Sequence, residues 1–315
     1  MMLPDTYVVG APKAGTTTVS QWLAGHDEVC VPVPQEPSYW AYDYPQLREQ
    51  LGFSSAAAYG ALFSGDPEQP YARVVDASTV YLYSQRAVPA ILLAQPNARF
   101  VVCVRNPADL VLSYHRAQVA ARSEPYADFV TAWRRSLTGT GDTGDSLDPK
   151  LLDYRLVGRQ GAAVKRMRAL VSEERLHVVV FDDLIADPTA AWRELAAYLE
   201  ISPEPVPTSR PRDASGKAFP SPLFQRITNG SSMPPGGPVG RFRQWVREDE
   251  RGLLARTKNL MSRTDASRSV TPELMAKLRD FFAEDVRLLA ELIDRDLSHW
   301  IVGDADATEA PSVTA

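Results

Sequence analysis

Four short segments rich in valine stand out from the polar and amphipathic remainder of the chain. They read TYVVG, ARVVD, ARFVVCV and LHVVVF, and they end at Gly10, Asp76, Val104 and Phe181. None of them has an alternating polar face, which is typical of strands that are buried on both faces of a parallel sheet. The pattern therefore predicts a parallel sheet at the centre of the protein.

Amphipathic segments lie between these strands and predict helices over residues 17–23, 85–93, 109–121 and 161–170. A further helix is predicted to begin at Pro272, behind a Thr271 cap, because apolar residues then recur at helical spacing as far as Ile293. Strands that alternate with helices imply right-handed crossovers and helices on both faces of the sheet. The prediction is one α/β domain over residues 1–302.

Three segments depart from this pattern. Residues 138–149 are rich in Gly, Asp and Thr and predict a mobile surface loop, while residues 203–238 hold nine of the 25 prolines and predict an extended flap. Because gating elements come from weakly packed regions, we expect both to close over a substrate. Residues 303–315 are small and acidic, and they predict a disordered C-terminal tail.

The composition narrows the class of protein. With 44% apolar and 23% charged residues, the 315-residue chain can bury a full core, and its net charge of -5 argues against a nucleic-acid partner. No apolar segment reaches the roughly 20 residues that span a bilayer, and no cleavable leader is evident, so we expect no membrane partner. Two cysteines, Cys30 and Cys103, are too few for a disulfide framework or a metal cluster, and Cys103 is expected to be a buried free thiol. The expected location is the reducing cytoplasm.

The segment VVGAPKAGTTT carries the first candidate binding site. Gly10 and Gly15 have the G-x-x-x-x-G spacing of a phosphate loop, in which backbone N–H groups and a helix N-terminus hold phosphate oxygens. A kinase or NTPase has lysine directly after the second glycine and a magnesium site, but here Thr16 follows Gly15 and the lysine is Lys13, inside the loop. A donor of a sulfonate carries less charge, so Lys13 at its bridging oxygen could suffice without a metal. The candidate loop residues are Lys13, Ala14, Gly15, Thr16, Thr17 and Thr18.

The segment VCVRNPADLVLSYHRA carries a second candidate anion site. Arg105 follows a predicted strand at its carboxyl end, where ligands collect in parallel α/β sheets. Asn106 can cap and Pro107 can open the next helix, and Ser113 lies about two turns along it. The alternatives are a structural salt bridge from Arg105 to Asp109 or Asp76, and an ordinary helix-face serine.

With both motifs, the chain resembles the PAPS-dependent sulfotransferases over about residues 6–300, nearest to the heparan-sulfate-type branch and its bacterial relatives. The resemblance implies a sulfotransferase fold, a P-loop-type central parallel sheet flanked by helices. It also implies that the cofactor is 3′-phosphoadenosine 5′-phosphosulfate (PAPS), released as PAP. GAPKAGTTT would hold the 5′-phosphosulfate, while Arg105 and Ser113 would hold the 3′-phosphate. Ser215, Gly216 and Lys217 fall where the family has a late loop over the nucleotide.

Sulfonyl transfer needs a base, for which there are two candidates. Glu36, in PVPQEPSYWAYD, resembles the catalytic glutamate of the heparan-type enzymes, and burial against Tyr39 and Trp40 would raise its pKa. His115 competes, because imidazole is a base near neutral pH and this one lies beside Ser113. We assign no role to the other histidines. In DAST, Ala77 replaces the lysine that the heparan branch often has, which argues against a highly anionic glycan acceptor.

The sequence therefore predicts direct in-line transfer of a sulfonate from PAPS to a hydroxyl or amine, with a general base and without a metal. Lys13 would stabilise the leaving group. The expected acceptor is a small molecule or a carrier-tethered intermediate of secondary metabolism. Two alternatives stay open: a metal-dependent P-loop nucleotide kinase, and a nucleotide-binding module without catalytic activity.

Overall fold

The computed structural model of the protein describes residues 3–63, 70–139, 148–207 and 270–302. Its strands form one parallel sheet in the order β2-β3-β1-β4-β5. They are β1 (Thr6–Gly10), β2 (Val29–Cys30), β3 (Arg73–Asp76), β4 (Arg99–Val104) and β5 (Leu176–Val180). The parallel sheet and its four predicted strands are confirmed, except that Phe181 begins a helix. Strand β2 was not predicted, because two residues cannot carry a hydrophobic pattern.

Helices follow the strands. They are α1 (Thr16–Ala24), α2 (Pro45–Leu51), α3 (Ala56–Ala61), α4 (Ala87–Ala94), α5 (Pro107–Ala120), α6 (Phe129–Thr138), α7 (Tyr154–Gly158), α8 (Gln160–Arg168), α9 (Phe181–Ala186), α10 (Pro188–Leu199), α11 (Pro272–Ile293) and α12 (His299–Val302). The start of α11 is as predicted, with the Thr271 hydroxyl accepting a bond from the Leu274 N–H at 3.2 Å. All five predicted helices are present, with shifts of a few residues at some ends.

The sheet lies in the core. All five residues of β1 are buried, as are those of β4 from Phe100 onward. Cys103 is a fully buried free thiol, as expected, and burial raises its pKa to about 12. Among the residues that the structure describes, no helix is long and apolar enough to cross a membrane, and no group of three or more His, Cys, Asp or Glu could hold a metal ion.

Residues 295–300 are anchored near the carboxyl ends of the strands. Asp182 in α9 accepts bonds from the indole N–H of Trp300 at 2.7 Å and lies 2.9 Å from Nε2 of His299. The carboxylate of its neighbour Asp183 accepts hydrogen bonds from both terminal nitrogens of Arg295. On the other side of α9, a Cβ on Gly15 would lie only 2.8 Å from the Leu184 side chain. Helix α9 therefore links residues 295–300 to the turn before α1.

A buried ion pair joins the segments around α6. The fully buried carboxylate of Glu124 accepts bonds from Arg135 at 2.8 Å, from the Tyr154 hydroxyl at 2.6 Å and from the Tyr126 N–H at 3.1 Å. A charge left without its partner in such a place is strongly destabilising. We therefore expect this ion pair to contribute measurably to the free energy of unfolding.

We expect Glu124→Gln to lower the free energy of unfolding by about 3–5 kcal/mol, because it leaves the Arg135 guanidinium buried and uncompensated. Urea denaturation measures this. The matched control is Glu173→Gln, which breaks an exposed pair with Arg168 and should change stability by less than about 0.5 kcal/mol. Equal effects of the two substitutions would contradict the importance of the buried pair.

Several predicted segments fall outside the described residues. These are most of the 138–149 loop, the flap from residue 208 onward with Ser215, Gly216 and Lys217, and the 303–315 tail. Their roles stay predictions.

Candidate active site

The sheet order creates a crevice at one edge. After β1 the chain builds β2 and β3 on one side of it, and β4 then pairs with β1 on the other side. Ligands of parallel α/β proteins bind where the strand order reverses in this way, outside the carboxyl ends of the strands. The residues at those ends here are Gly10, Asp76 and Val104, which brings the two predicted anion motifs to one place.

The predicted phosphate loop connects β1 to α1 in an unusual backbone conformation. Gly10 and Gly15 have φ values of 142° and 96°, in the region that favours glycine. A Cβ on Gly10 would lie 2.8 Å from the Thr79 carbonyl oxygen, so the glycine lets the loop approach the turn after β3. The residue before α1 is Gly15, which has no side chain to cap the first turn. The N–H groups at such a helix start suit an anion.

Lys13 lies inside this loop, with φ at 68°. Burial lowers the pKa of its ammonium group, as do the neighbouring charges of Arg105 and Arg116, whereas Glu36 raises it. The cations of the loop and of the β4–α5 segment therefore share one region, and a carboxylate lies close to them. A region with this excess of positive charge attracts anions.

Arg105 ties the second motif to the first. Its guanidinium donates to the Lys13 carbonyl oxygen at 3.1 Å and lies 4.4 Å from the centre of the Phe181 ring. The amide of the buried Gln160 side chain accepts a bond from the Arg105 N–H at 2.9 Å and donates to the Arg105 carbonyl at 2.6 Å. The backbone and the head group of this arginine are thus both fixed beside the phosphate loop.

Helix α5 begins as the sequence predicts. The Asn106 side chain accepts a bond from the Ala108 N–H at 3.0 Å, and Pro107 is the first residue of the helix. Ser113 is a buried residue of this helix. Arg116, one turn further, is exposed. Its influence on Lys13 was missed in the sequence because an exposed arginine on a helix gives no distinctive signal.

Glu36 lies beside the turn that follows β3. Its Oε2 accepts a 2.9 Å bond from the Thr79 hydroxyl and a longer one, 3.4 Å, from the Thr79 N–H. Burial raises the pKa of this carboxyl and the charge of Asp76 adds to the effect, while the Thr79 bonds and Lys13 oppose it. A carboxylate with a raised pKa is suited to accept a proton near neutral pH. The structure thus brings Glu36 and Lys13 together.

His115 lies in a different environment. It is buried, its Nε2 is 2.8 Å from the Tyr126 carbonyl oxygen, and its ring packs edge-on against Phe129 and Tyr154. Burial lowers the pKa of this imidazole. These contacts connect α5 to the segment before α6, whereas Glu36 lies close to Lys13.

The surroundings of Asp76 were not predicted from the sequence, in which this residue was only a possible salt-bridge partner of Arg105. The carboxylate of Asp76 is fully buried and accepts bonds from three hydroxyls: Tyr59 at 2.7 Å, Ser78 at 2.6 Å and Tyr81 at 2.8 Å. Burial raises its pKa to about 6, and the hydroxyl donors oppose that effect. An aspartate at the end of a buried strand, followed by hydroxyl residues, was the available signal.

One solved structure supports the fold, and two others are less similar. A sulfotransferase from Alicyclobacillus acidocaldarius is 23% identical, with a TM-score of 0.69 over 95% of this chain and 99% of that chain. The sulfotransferase domain from the curacin biosynthetic pathway is 16% identical, with a TM-score of 0.44 over 79% of this chain and 99% of that domain. Mouse SULT7A1 complexed with PAP is 12% identical, with a TM-score of 0.47 over 94% of this chain and 90% of that chain. The last two TM-scores do not establish a common fold.

The family match rests on sequence. The pattern described as "Sulfotransferase family" matches residues 42–205, just over half of the chain. That range contains Arg105 and Ser113, whereas the phosphate loop and Glu36 precede it. Because the family match and the parallel-sheet fold agree, we conclude that the chain belongs to the sulfotransferase family and that its reaction class is sulfonate transfer.

Proposed function

We propose that the protein transfers a sulfonate from PAPS to a hydroxyl or amine of a small-molecule or carrier-tethered acceptor, and releases PAP. The observation that carries this proposal is the contact between the two anion motifs: the Arg105 guanidinium donates to the Lys13 backbone, and the Glu36 carboxyl lies near the same lysine. Two anion sites side by side suit a nucleotide that carries phosphate at two positions.

The donor groups fit PAPS. Lys13 and the hydroxyls of Thr16, Thr17 and Thr18 would hold the 5′-phosphosulfate, together with the N–H groups at the start of α1. Arg105 and Ser113 would hold the 3′-phosphate, since charge-assisted bonds from arginine are the strong ones to phosphate oxygens. When bound, PAPS supplies an electrophilic sulfonate on a good leaving group.

The residues of the chain divide the transfer between them. Glu36 accepts the proton of the acceptor hydroxyl or amine while the acceptor atom bonds to sulfur. Lys13 stabilises the negative charge that develops on the bridging oxygen as the bond from sulfur to that oxygen breaks. The proton would thus end on Glu36, and the electron pair of the broken bond would remain with the departing nucleotide. The position of Lys13 before Gly15, and not after it, supports sulfonate transfer over a kinase reaction.

Nucleotide preference tests the proposal. Charge-assisted contacts contribute about 1.5–3 kcal/mol each, so we expect PAP to bind at least about tenfold more tightly than ADP, in EDTA as well as in magnesium. Arg105→Ala should remove most of that preference and leave AMP binding nearly unchanged. Isothermal calorimetry measures each affinity.

The matched control is Arg168→Ala. This arginine pairs with Glu173, which precedes β5 and so lies at the amino ends of the strands, away from the candidate site. Arg168→Ala should therefore leave the preference for PAP intact. Equal affinities for PAP and ADP, or binding that requires magnesium, would refute the proposed donor and favour the kinase. Transfer of label from PAPS to members of an acceptor library separates the active enzyme from an inactive binding module.

A further inference from the structure

The buried carboxylate of Asp76 has no part in the transfer proposed above, yet three hydroxyl groups surround it. They belong to Tyr59, Ser78 and Tyr81, at 2.7, 2.6 and 2.8 Å. A hydroxyl has one proton to donate and lone pairs that accept. Because each of these hydroxyls gives its proton to Asp76, its oxygen is left to accept bonds from other groups.

All three oxygens accept bonds from the segment that contains Glu36. The Ser78 oxygen accepts from the Ser38 N–H at 2.9 Å, and the Tyr81 oxygen accepts from the Trp40 N–H at 3.2 Å. The Tyr59 oxygen accepts from the indole N–H of Trp40 at 3.0 Å. Asp76 thus fixes the direction of three bonds that hold the backbone and a side chain of residues 38–40.

The turn after β3 also forms hydrogen bonds with residues 35 and 36. The Ala77 N–H donates to the Gln35 carbonyl oxygen at 3.2 Å, and Thr79 binds the Glu36 carboxylate itself. The Gly10 position lies against the Thr79 carbonyl oxygen. Bonds on both sides of Glu36 therefore fix its carboxylate relative to the phosphate loop.

We propose that Asp76 is a positioning residue, which holds the Glu36 carboxylate against the phosphate loop through Ser78 and Tyr81. This inference rests on the proposed function, in which Glu36 is the base. Such positioning matters because the displacement of a catalytic group by about 1 Å can lower the rate on the order of 10²-fold. Buried networks in which every member is bonded are also the most rigid.

Two mild substitutions test the connection. Ser78→Ala and Tyr81→Phe each remove one acceptor for the 38–40 backbone and keep most of the packing. We expect kcat for sulfonate transfer to fall about 10- to 100-fold in each, while the Kd for PAP stays within about twofold. Amide hydrogen exchange should show lost protection at Ser38 in the first variant and at Trp40 in the second.

Tyr83→Phe is the matched control. Tyr83 is a buried tyrosine two residues after Tyr81, and its hydroxyl donates to the Val157 carbonyl oxygen at 2.7 Å. Loss of this hydroxyl should leave kcat and the exchange at Ser38 and Trp40 unchanged. If Tyr83→Phe lowers kcat as much as Tyr81→Phe does, the effect is general loss of packing and the inference is wrong.

A pH profile gives a readout that a merely structural role would not move. Charged or titratable groups facing Glu36 are Asp76 from β3, Lys13 from the phosphate loop and Tyr114 from α5. The negative charge of Asp76 raises the pKa of Glu36, so Asp76→Asn should lower that pKa. The acid limb of kcat should then shift to lower pH. An unshifted limb would contradict the coupling.

Glu36→Gln separates the two levels of inference. If it abolishes transfer while Ser78→Ala and Tyr81→Phe keep kcat within twofold, Glu36 is the base but Asp76 does not position it. If Glu36→Gln itself keeps the parental rate, the proposed base is wrong, whatever the other variants do.

Discussion

Glu36→Gln is expected to lower kcat for sulfonate transfer by about 10²- to 10⁴-fold, the range that a general base contributes. Glutamine keeps the volume of the side chain and can still accept from the Thr79 hydroxyl, so the local structure should persist. What is lost is the ability to take the proton of the acceptor. Steady-state transfer of label from PAPS measures the change, and calorimetry should show that PAP binding survives.

The pH dependence of the parent enzyme follows from the same carboxyl group. Burial raises the pKa of Glu36, so its basic form disappears as the pH falls through that raised value. Activity should therefore have an acid limb above the ordinary pH range of a glutamate. The residual activity of Glu36→Gln should lack this limb.

His115→Asn decides the competition between the two candidate bases. The ring lies between Phe129 and Tyr154, and its Nε2 is paired with the Tyr126 carbonyl oxygen, so its loss should lower stability and leave kcat of the folded protein nearly intact. Circular dichroism establishes the folded fraction for each assay. A near-parental kcat in Glu36→Gln together with a collapse in folded His115→Asn would reverse the assignment.

The elements predicted correctly are those whose signal is local. Strand β1 and the phosphate loop that follows it are one continuous segment of sequence. The start of α5 depends only on the neighbouring residues Asn106 and Pro107. The Asp76 network could not be predicted in this way, because its bonds join residues about 40 positions apart in the chain. The surroundings of His115 could not be predicted for the same reason, because proximity to Ser113 in sequence says nothing about how Tyr126 and Phe129 pack against the ring.

The contact between the two anion motifs also depends on the tertiary structure. The sequence predicted Arg105 and Lys13 separately, since 92 positions separate them, and only the pairing of β1 with β4 brings them together. Phe181 and Gln160, which contact the arginine, come from still later elements, and their contacts with it were not predicted. The sequence thus indicated the residues that we propose to bind phosphate, whereas the residues that orient them became evident only in the folded structure.

Lys13→Ala is expected to lower kcat by about 10²-fold or more, the scale of removing one group that stabilises developing charge. The affinity for PAP should change much less, because the role of the ammonium group is greatest while the bond from sulfur to the bridging oxygen is breaking. Single-turnover transfer at saturating PAPS measures the chemical step.

Two further variants separate charge from backbone effects at Lys13. The φ of Lys13, 68°, is strained for any residue other than glycine. Because alanine and methionine carry the same backbone strain as the native lysine, replacing Lys13 by either one changes the side chain alone. Lys13→Met keeps the length of the side chain without its charge and should be as slow as Lys13→Ala, whereas Arg168→Ala, away from the candidate site, should keep the parental rate. Because Arg105 donates to the backbone of Lys13 and not to its side chain, the 3′-phosphate preference should persist in both Lys13 variants. Turnover of Lys13→Met within a few fold of the parent at saturating donor would show that this lysine does not stabilise the leaving group.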